Sequence, residues 1–242
     1  MSVLSVSAQD IKGIIASANA RIGVGIAGPG HQKKIFVHGH DHFPMQSVFK
    51  FHLALTVLHL VDKGRLSLGQ QVFVSKADVT PKMYSPLRDK YPNGNVSVTV
   101  RELLSDAVSL SDNVACDVLF RLIGGTNVVN RYIHSLGISG VSIVATEEEM
   151  HKAWPVQYNN WTTPAAAVAL LQKFDTGQIL SASSHAALWD WMTKSVKADR
   201  IRGCYLPVPS WRTNRERRIP MSSISPQPRM ILGSSCYPME DI

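Results

Sequence analysis

At 242 residues with 45% hydrophobic content, the chain is long enough to bury a sizeable core, as one large domain or two small ones. Its formal net charge of +7 comes from scattered residues, with no lysine-rich tract interleaved with aromatics; this argues against a nucleic-acid groove and fits solubility or attraction of anionic substrates. Cys116, Cys204 and Cys236 are odd in number and lack C-x-x-C spacing, so neither a metal knuckle nor a disulfide framework is indicated, and no run is long enough to cross a bilayer.

At the amino terminus, Val3-Leu4-Ser5-Val6-Ser7-Ala8 reads either as the end of an export signal with a small-x-small cleavage site or as the frayed start of a helix. Asp10 to Ala20 predicts an amphipathic helix, and Ile22 to Ile26 then alternates like a strand. Gly28-Pro29-Gly30 supplies a turn, and Lys34 to His38 the returning strand. Next comes a strongly apolar helix that begins near Ser47 and stops at Gly64. Thr99, with Glu102 three residues on, opens another helix over Arg101 to Val108. Helices follow over Val114 to Leu122, Asn127 to Leu136, Thr163 to Lys173 (with Pro164 just inside its start) and Ser183 to Lys194. Cys116 falls in an apolar stretch and reads as a small buried side chain. A hairpin followed by many helices is an α+β plan, which calls for further strands at the end.

Within this plan, Ser47 and Lys50 stand one helical turn apart in Gln46-Ser47-Val48-Phe49-Lys50-Phe51, so their side chains meet on one face. The apolar neighbours bury that face, where an ammonium is costly unless partnered. A lysine that shares its proton can activate a hydroxyl as nucleophile. A helix start with a lysine reaching to solvent uses the same residues.

Ser111-Asp112-Asn113 occupies a turn between two helices, where a hydroxyl and an amide can pass a proton and bind a carbonyl; the same three residue types also serve as simple helix caps. Glu147-Glu148-Glu149-Met150-His151 is read as a loop ending near Trp161-Thr162-Thr163. A carboxylate held there in partial burial can act on a water, although three glutamates in a row also suit a solvated surface.

Taken together, Ser-x-x-Lys, Ser-Asp-Asn and the acidic segment, in this order and spacing, resemble the class A serine β-lactamases over approximately residues 9–203. The resemblance implies a β-lactamase/transpeptidase-like fold, a helical subdomain plus an antiparallel sheet. It implies Ser47 as nucleophile, Lys50 as its proton partner, Ser111 as proton relay to the leaving nitrogen, Asn113 on the substrate side-chain amide, and Glu147 as base for the hydrolytic water. Gln46 and His151, beside nucleophile and base, join as substrate-binding candidates. The substrate would be a small-molecule β-lactam, handled by a monomer without metal, cofactor, nucleic acid or membrane, in the periplasm for the intact parent. Met150-His151 stands where the family usually has Leu-Asn, a replacement similar to an extended-spectrum branch. A penicillin-binding transpeptidase shares the serine motifs and lacks the acidic base.

The last 39 residues depart from that plan. From Cys204 onward the chain holds Pro207, Pro209, Pro220, Pro226, Pro228 and Pro238, which forbid central strands. The family's Lys-Thr-Gly or Lys-Ser-Gly is absent after Gly203. Read one base out of register, synonymous codons from Cys204 can give Leu-Pro-Ala-Gly-Thr-Val-Val-Ala-His-Lys-Ser-Gly-Thr-Ser. Those of residues 229–240 can give a second family-like strand. The expectation is therefore a remnant export signal over 1–8, an incomplete catalytic domain over 9–203 and an out-of-frame tail over 204–242, in a chain that folds poorly or aggregates. A nucleic-acid-binding role for the tail is disfavoured, because its five arginines face Glu216, Glu240 and Asp241, leaving only +2.

Overall fold

The computed structural model of the chain describes residues 8–16, 18–28, 34–80, 83–195 and a short strand at 230–231. The predicted turn at Gly28-Pro29-Gly30 lies partly outside these residues. Outside them altogether lie the leader over 1–7, Cys204, Cys236 and the tail apart from that strand.

Helix α1 (Ala8–Ala16) ends earlier than its sequence pattern suggests and packs on the hairpin that follows. In that hairpin, β1 (Val24–Ile26) runs antiparallel to β2 (Ile35–Val37), with Val24 opposite Val37 and Ile26 opposite Ile35. Gly25 is required by close approach: a Cβ there would lie 2.8 Å from Val168 and 2.9 Å from the Pro164 carbonyl, on the helix covering this strand.

The two-residue strand β3 (Phe43–Pro44) and a 3-10 turn over Gln46–Val48 lead into α2 (Phe49–Asp62). Apolar residues surround α2 on every side, and Phe49, Leu53, Ala54, Leu55, Val57 and Leu58 are all buried, so it forms the axis of the core rather than a surface helix. Two strands missed in the sequence reading, β4 (Gln71–Val74) and β5 (Val96–Thr99), pair antiparallel from Gln71 opposite Thr99 to Val74 opposite Val96. Between them lie two short capped helices, α3 (Lys76–Val79) and α4 (Pro86–Lys90).

Thr99 caps α5 (Val100–Ser109) by accepting the Glu102 N–H (3.1 Å). The Glu102 carboxylate, however, pairs with Lys90 (2.6 Å) instead of closing a reciprocal box. Helix α6 (Asn113–Ile123) ends at Gly124, whose φ of 93° is the left-handed conformation glycine adopts freely, and α7 (Thr126–Ser135) follows. Helix α8 (Glu147–Lys152) corrects the sequence reading of a loop: Thr146 and Glu149 form a capping box, with Thr146 accepting the Glu149 N–H and Glu149 accepting that of Thr146.

Strands β6 (Val141–Ser142) and β7 (Trp161–Thr162) join β3 in a small sheet ordered β3-β7-β6. Thr163 and Pro164 start α9 (Pro164–Asp175), and Ser181 starts α10 (Ala182–Thr193). The proline-rich tail does return one strand: β8 (Met230–Ile231) lies beside β1, with Gly25 opposite Ile231. Among the described residues no helix is long and apolar enough to cross a membrane. The helices and small antiparallel sheets give the expected α+β architecture.

Candidate active site

The start of α2 is anchored by the small sheet. Pairing of β3 with β7, and the Met45 N–H on the Asn160 carbonyl (2.9 Å), set the segment 144–160 opposite the Gln46–Val48 turn. Asn160 is fully buried and clamps that segment: its Oδ1 accepts the N–H groups of Val144 (2.8 Å) and Ala145 (2.9 Å), and its Nδ2 donates to the Ala145 carbonyl (2.8 Å). Gln46, whose φ is 45°, donates from its amide to Gln157 across the same gap.

Ser47 is exposed at the tip of the turn, while Lys50, three residues on, is 2% exposed. The Lys50 ammonium lies 3.1 Å from Ser47 Oγ, 3.3 Å from Ser111 Oγ, 2.9 Å from the Ser111 carbonyl, 2.6 Å from Asn113 Oδ1 and 2.8 Å from Glu147 Oε1. Ser111 closes the figure by donating to Ser47 Oγ at 2.8 Å. Burial of the lysine is therefore compensated by an ion pair and several hydrogen bonds. Two residues along, burial pushes His52 down to about 4 and keeps it neutral, so Lys50 is the only cation of that buried turn.

Asp112 fixes the turn that carries Ser111 and Asn113. It is fully buried, and it accepts from Ser85 Oγ (2.8 and 2.9 Å), the Leu87 N–H (2.6 Å) and the Ala115 N–H (2.8 Å). The cap function read for this residue is thus present, and it serves two helices. Ser111 is held at φ 59°, a strained setting for a non-glycine residue beside a candidate nucleophile.

Five of the seven residues singled out in the sequence converge here: Ser47, Lys50, Ser111, Asn113 and Glu147. Of the three glutamates, Glu147 turns inward to Lys50, while Glu148 and Glu149 are exposed. Gln46 borders the cluster through its bond to Gln157. His151 does not join it, standing exposed in the last turn of α8.

Three neighbours carry no motif signal. Tyr84 is exposed at the rim and takes the Asn113 N–H on its carbonyl (3.2 Å). Cys116, 0% exposed, sits one turn below Asn113, its thiol pushed up by burial. Asp117 reaches from α6 to α8, where its carboxylate accepts the N–H groups of Glu147 and Glu148, both at 2.9 Å. Among the described residues no group of His, Cys, Asp and Glu converges as a metal site would require.

The chain is similar to known proteins over most of its length. Residues 7–214 match the model of the beta-lactamase enzyme family. The chain is 42% identical over 196 residues to the extended-spectrum beta-lactamase PER-1 of Pseudomonas aeruginosa, covering 81% of this chain and 64% of that one. It is 40% identical over 198 residues to the beta-lactamase VEB-1 of the same organism, covering 80% and 65%. The chain thus spans somewhat under two thirds of the length of these curated relatives. Among solved structures, the TLA-1 extended-spectrum beta-lactamase superposes with a TM-score of 0.79 at 46% identity, covering 82% of this chain and 72% of that one. A beta-lactamase from Chitinophaga pinensis gives 0.79 at 42% identity, covering 84% and 74%.

Proposed function

Because the chain belongs to the class A beta-lactamase enzyme family, we propose that it opens the β-lactam ring of penicillins and cephalosporins through an acyl-enzyme on Ser47. The observation that carries this reading is the closed triangle of Ser47 Oγ, Lys50 Nζ and Ser111 Oγ, with sides of 3.1, 3.3 and 2.8 Å. With the Ser111 hydroxyl turned from Ser47 Oγ to the lactam nitrogen, Ser111 can give that nitrogen its own proton as the C–N bond breaks and take up the proton that leaves Ser47. Asn113, already accepting from Lys50, keeps its amide N–H groups for a carbonyl of the substrate side chain. The Ser47 backbone N–H supplies one donor for the carbonyl oxygen as it gains charge.

Glu147 is the base for the second half of the reaction. Its Oε1 is buried against Lys50 at 2.8 Å, which turns the carboxylate inward to the Ser47–Lys50 face, where a carboxylate can act on a water. This carboxylate favours a hydrolase over a transpeptidase. The family's Lys-Thr-Gly or Lys-Ser-Gly motif is absent from the sequence after Gly203. Turnover is accordingly set below that of a chain carrying it.

The test is hydrolysis of a chromogenic cephalosporin by the 242-residue chain, with the covalent adduct followed by intact mass and Ser47→Ala as control. The expected result is an adduct confined to the chain with Ser47, with slow turnover. Absence of any adduct would overturn the reading. Glu147→Gln is expected to acylate and then hold its adduct at least tenfold longer; an unchanged adduct lifetime would remove Glu147 from the mechanism and favour the transpeptidase-like alternative.

A further inference from the structure

Helix α5 ends one residue before the turn that carries Ser111. The N–H groups of Leu110 and Asp112 both donate to the Asp106 carbonyl at 3.1 Å, so the chain folds back on the helix and Ser111 is thrown outward. The left-handed backbone needed there is one that glycine takes freely and serine does not, yet Ser111 holds it at φ 59°. Such a setting persists only where the surroundings over-determine it. On the far side of the turn Asp112 does this, through Ser85, Leu87 and Ala115.

On the near side stands Ser109, the last residue of α5. It is 7% exposed, and its hydroxyl donates to the Trp191 carbonyl of α10 at 2.9 Å, across 82 residues of chain. That carbonyl lies in the last turn of α10, where a helix leaves its acceptors without intrahelical donors. Ser195, which would reach it in a longer helix, donates to Met192 instead (3.3 Å), and Lys194 donates to Asp190 (3.1 Å). The Ser109 hydroxyl thus supplies the bond that the Trp191 carbonyl does not get from the backbone among the described residues.

The other end of α10 is tied as well. Asp62, the last residue of α2, accepts the Ser181 N–H (2.7 Å) and the hydroxyls of Ser181 and Ser184 (2.6 Å each). Helix α10 is therefore a brace, its first turn fixed to the end of α2 and its last turn to the end of α5. Those are the two helices that set Lys50 against Ser111.

We propose that Ser109 is a positioning residue for acylation: its bond to α10 holds the end of α5 where Ser111 keeps its left-handed backbone, its hydroxyl on Ser47 (2.8 Å) and its carbonyl on Lys50 (2.9 Å). The inference rests on the reading of Ser111 as the group that protonates the lactam nitrogen. Without the Ser109 hydroxyl the end of α5 is free to move from α10, and rotation at Ser111 toward the ordinary right-handed backbone carries both its oxygens away from Ser47 and Lys50. The later step draws on Glu147, whose helix is tied to α6 and capped by Thr146 rather than held by α10. Loss of the bond therefore falls on the first half of the reaction.

Two measurements on the full chain test the proposal. In the first, benzylpenicillin is added, and formation and decay of the Ser47 adduct are followed separately by intact mass, below the melting midpoint of each variant. Ser109→Ala is expected to slow formation by about tenfold or more and to leave the decay within about twofold. Ser109→Thr keeps the hydroxyl and should restore formation. Ser109→Cys keeps the size with a weaker donor, should fall between the two, and decides the matter if alanine unfolds the chain. In the second, amide hydrogen exchange at Leu110 and Asp112 is expected to quicken by about tenfold in the alanine variant and not in the threonine one. Formation at the wild-type rate without the hydroxyl, both steps slowed alike, or unchanged exchange would overturn the proposal. Absence of any adduct on the unsubstituted chain would instead overturn the assignment of Ser47, and the exchange result would still decide whether Ser109 holds the turn.

Discussion

Asp112→Ala is expected to lower the midpoint of thermal unfolding by roughly 10 °C or more, without touching a group that meets substrate. The reason lies in what its carboxylate satisfies: the Ser85 hydroxyl and the Leu87 and Ala115 N–H groups, at a residue with no solvent exposure. Each buried donor left unpaired costs about 1–3 kcal/mol. The sum, roughly 3–9 kcal/mol, is a large fraction of the ~5–15 kcal/mol that a domain holds in reserve, and about 2–4 °C of midpoint accompanies each kcal/mol at this size. Asp112→Asn keeps one acceptor oxygen and should recover part of the loss. Circular dichroism melts of both variants check this; a loss under about 1 kcal/mol in the alanine variant would mean that Ser85 and Leu87 find other partners.

The second large effect is expected at Lys50, in two separable parts. Lys50→Ala removes the group that shares a proton with Ser47, and acylation should fall by roughly 10²–10⁴. It also strands Glu147, whose side chain is 11% exposed, without its cation. Breaking a buried pair from one side costs about 3–5 kcal/mol. Adding Glu147→Gln to Lys50→Ala removes the stranded charge and should restore most of the stability while leaving acylation lost. A double-mutant cycle in melting midpoint and in Ser47 adduct formation separates the two. If the second substitution restores no stability, the ion pair is not what compensates the buried lysine.

The cluster around Lys50 is legible in the sequence in large part because Ser47, Lys50 and the Ser111–Asn113 turn sit at helix starts and on helical spacing. Ser47 and Lys50 are i and i+3, and Ser111 to Asn113 bridge two helices whose apolar stripes are strong. Of the three adjacent glutamates, Glu147, favoured as base by the resemblance, is the one that turns to Lys50, and it stands on a helix rather than in the expected loop. Thr146-x-x-Glu149 was a capping-box signal available in the sequence and passed over. Strands β4 and β5 do alternate, Gln71-Val72-Phe73-Val74 being exposed, buried, exposed, buried, but 21 proline-interrupted residues separate them and hid the pairing. Asp117 could not be found by any local rule, since its role depends on α8 lying across α6. His151, a substrate-binding candidate from its place in the acidic segment, is exposed in the last turn of α8.

The crowd around Lys50 has a consequence for how the reaction is timed. Three protons on one nitrogen face five oxygen atoms within 3.3 Å, so at any instant two of those oxygens go unserved. The pairings are interchangeable: when Ser47 surrenders its proton and becomes an ester, the ammonium can turn about its own bond and serve the next oxygen. On the acylation pathway proposed above, a change of allegiance replaces a change of shape, and little reorganisation has to be bought at the moment of bond making. The heavy atoms can stay where the core has put them while the hydrogens keep the accounts of charge.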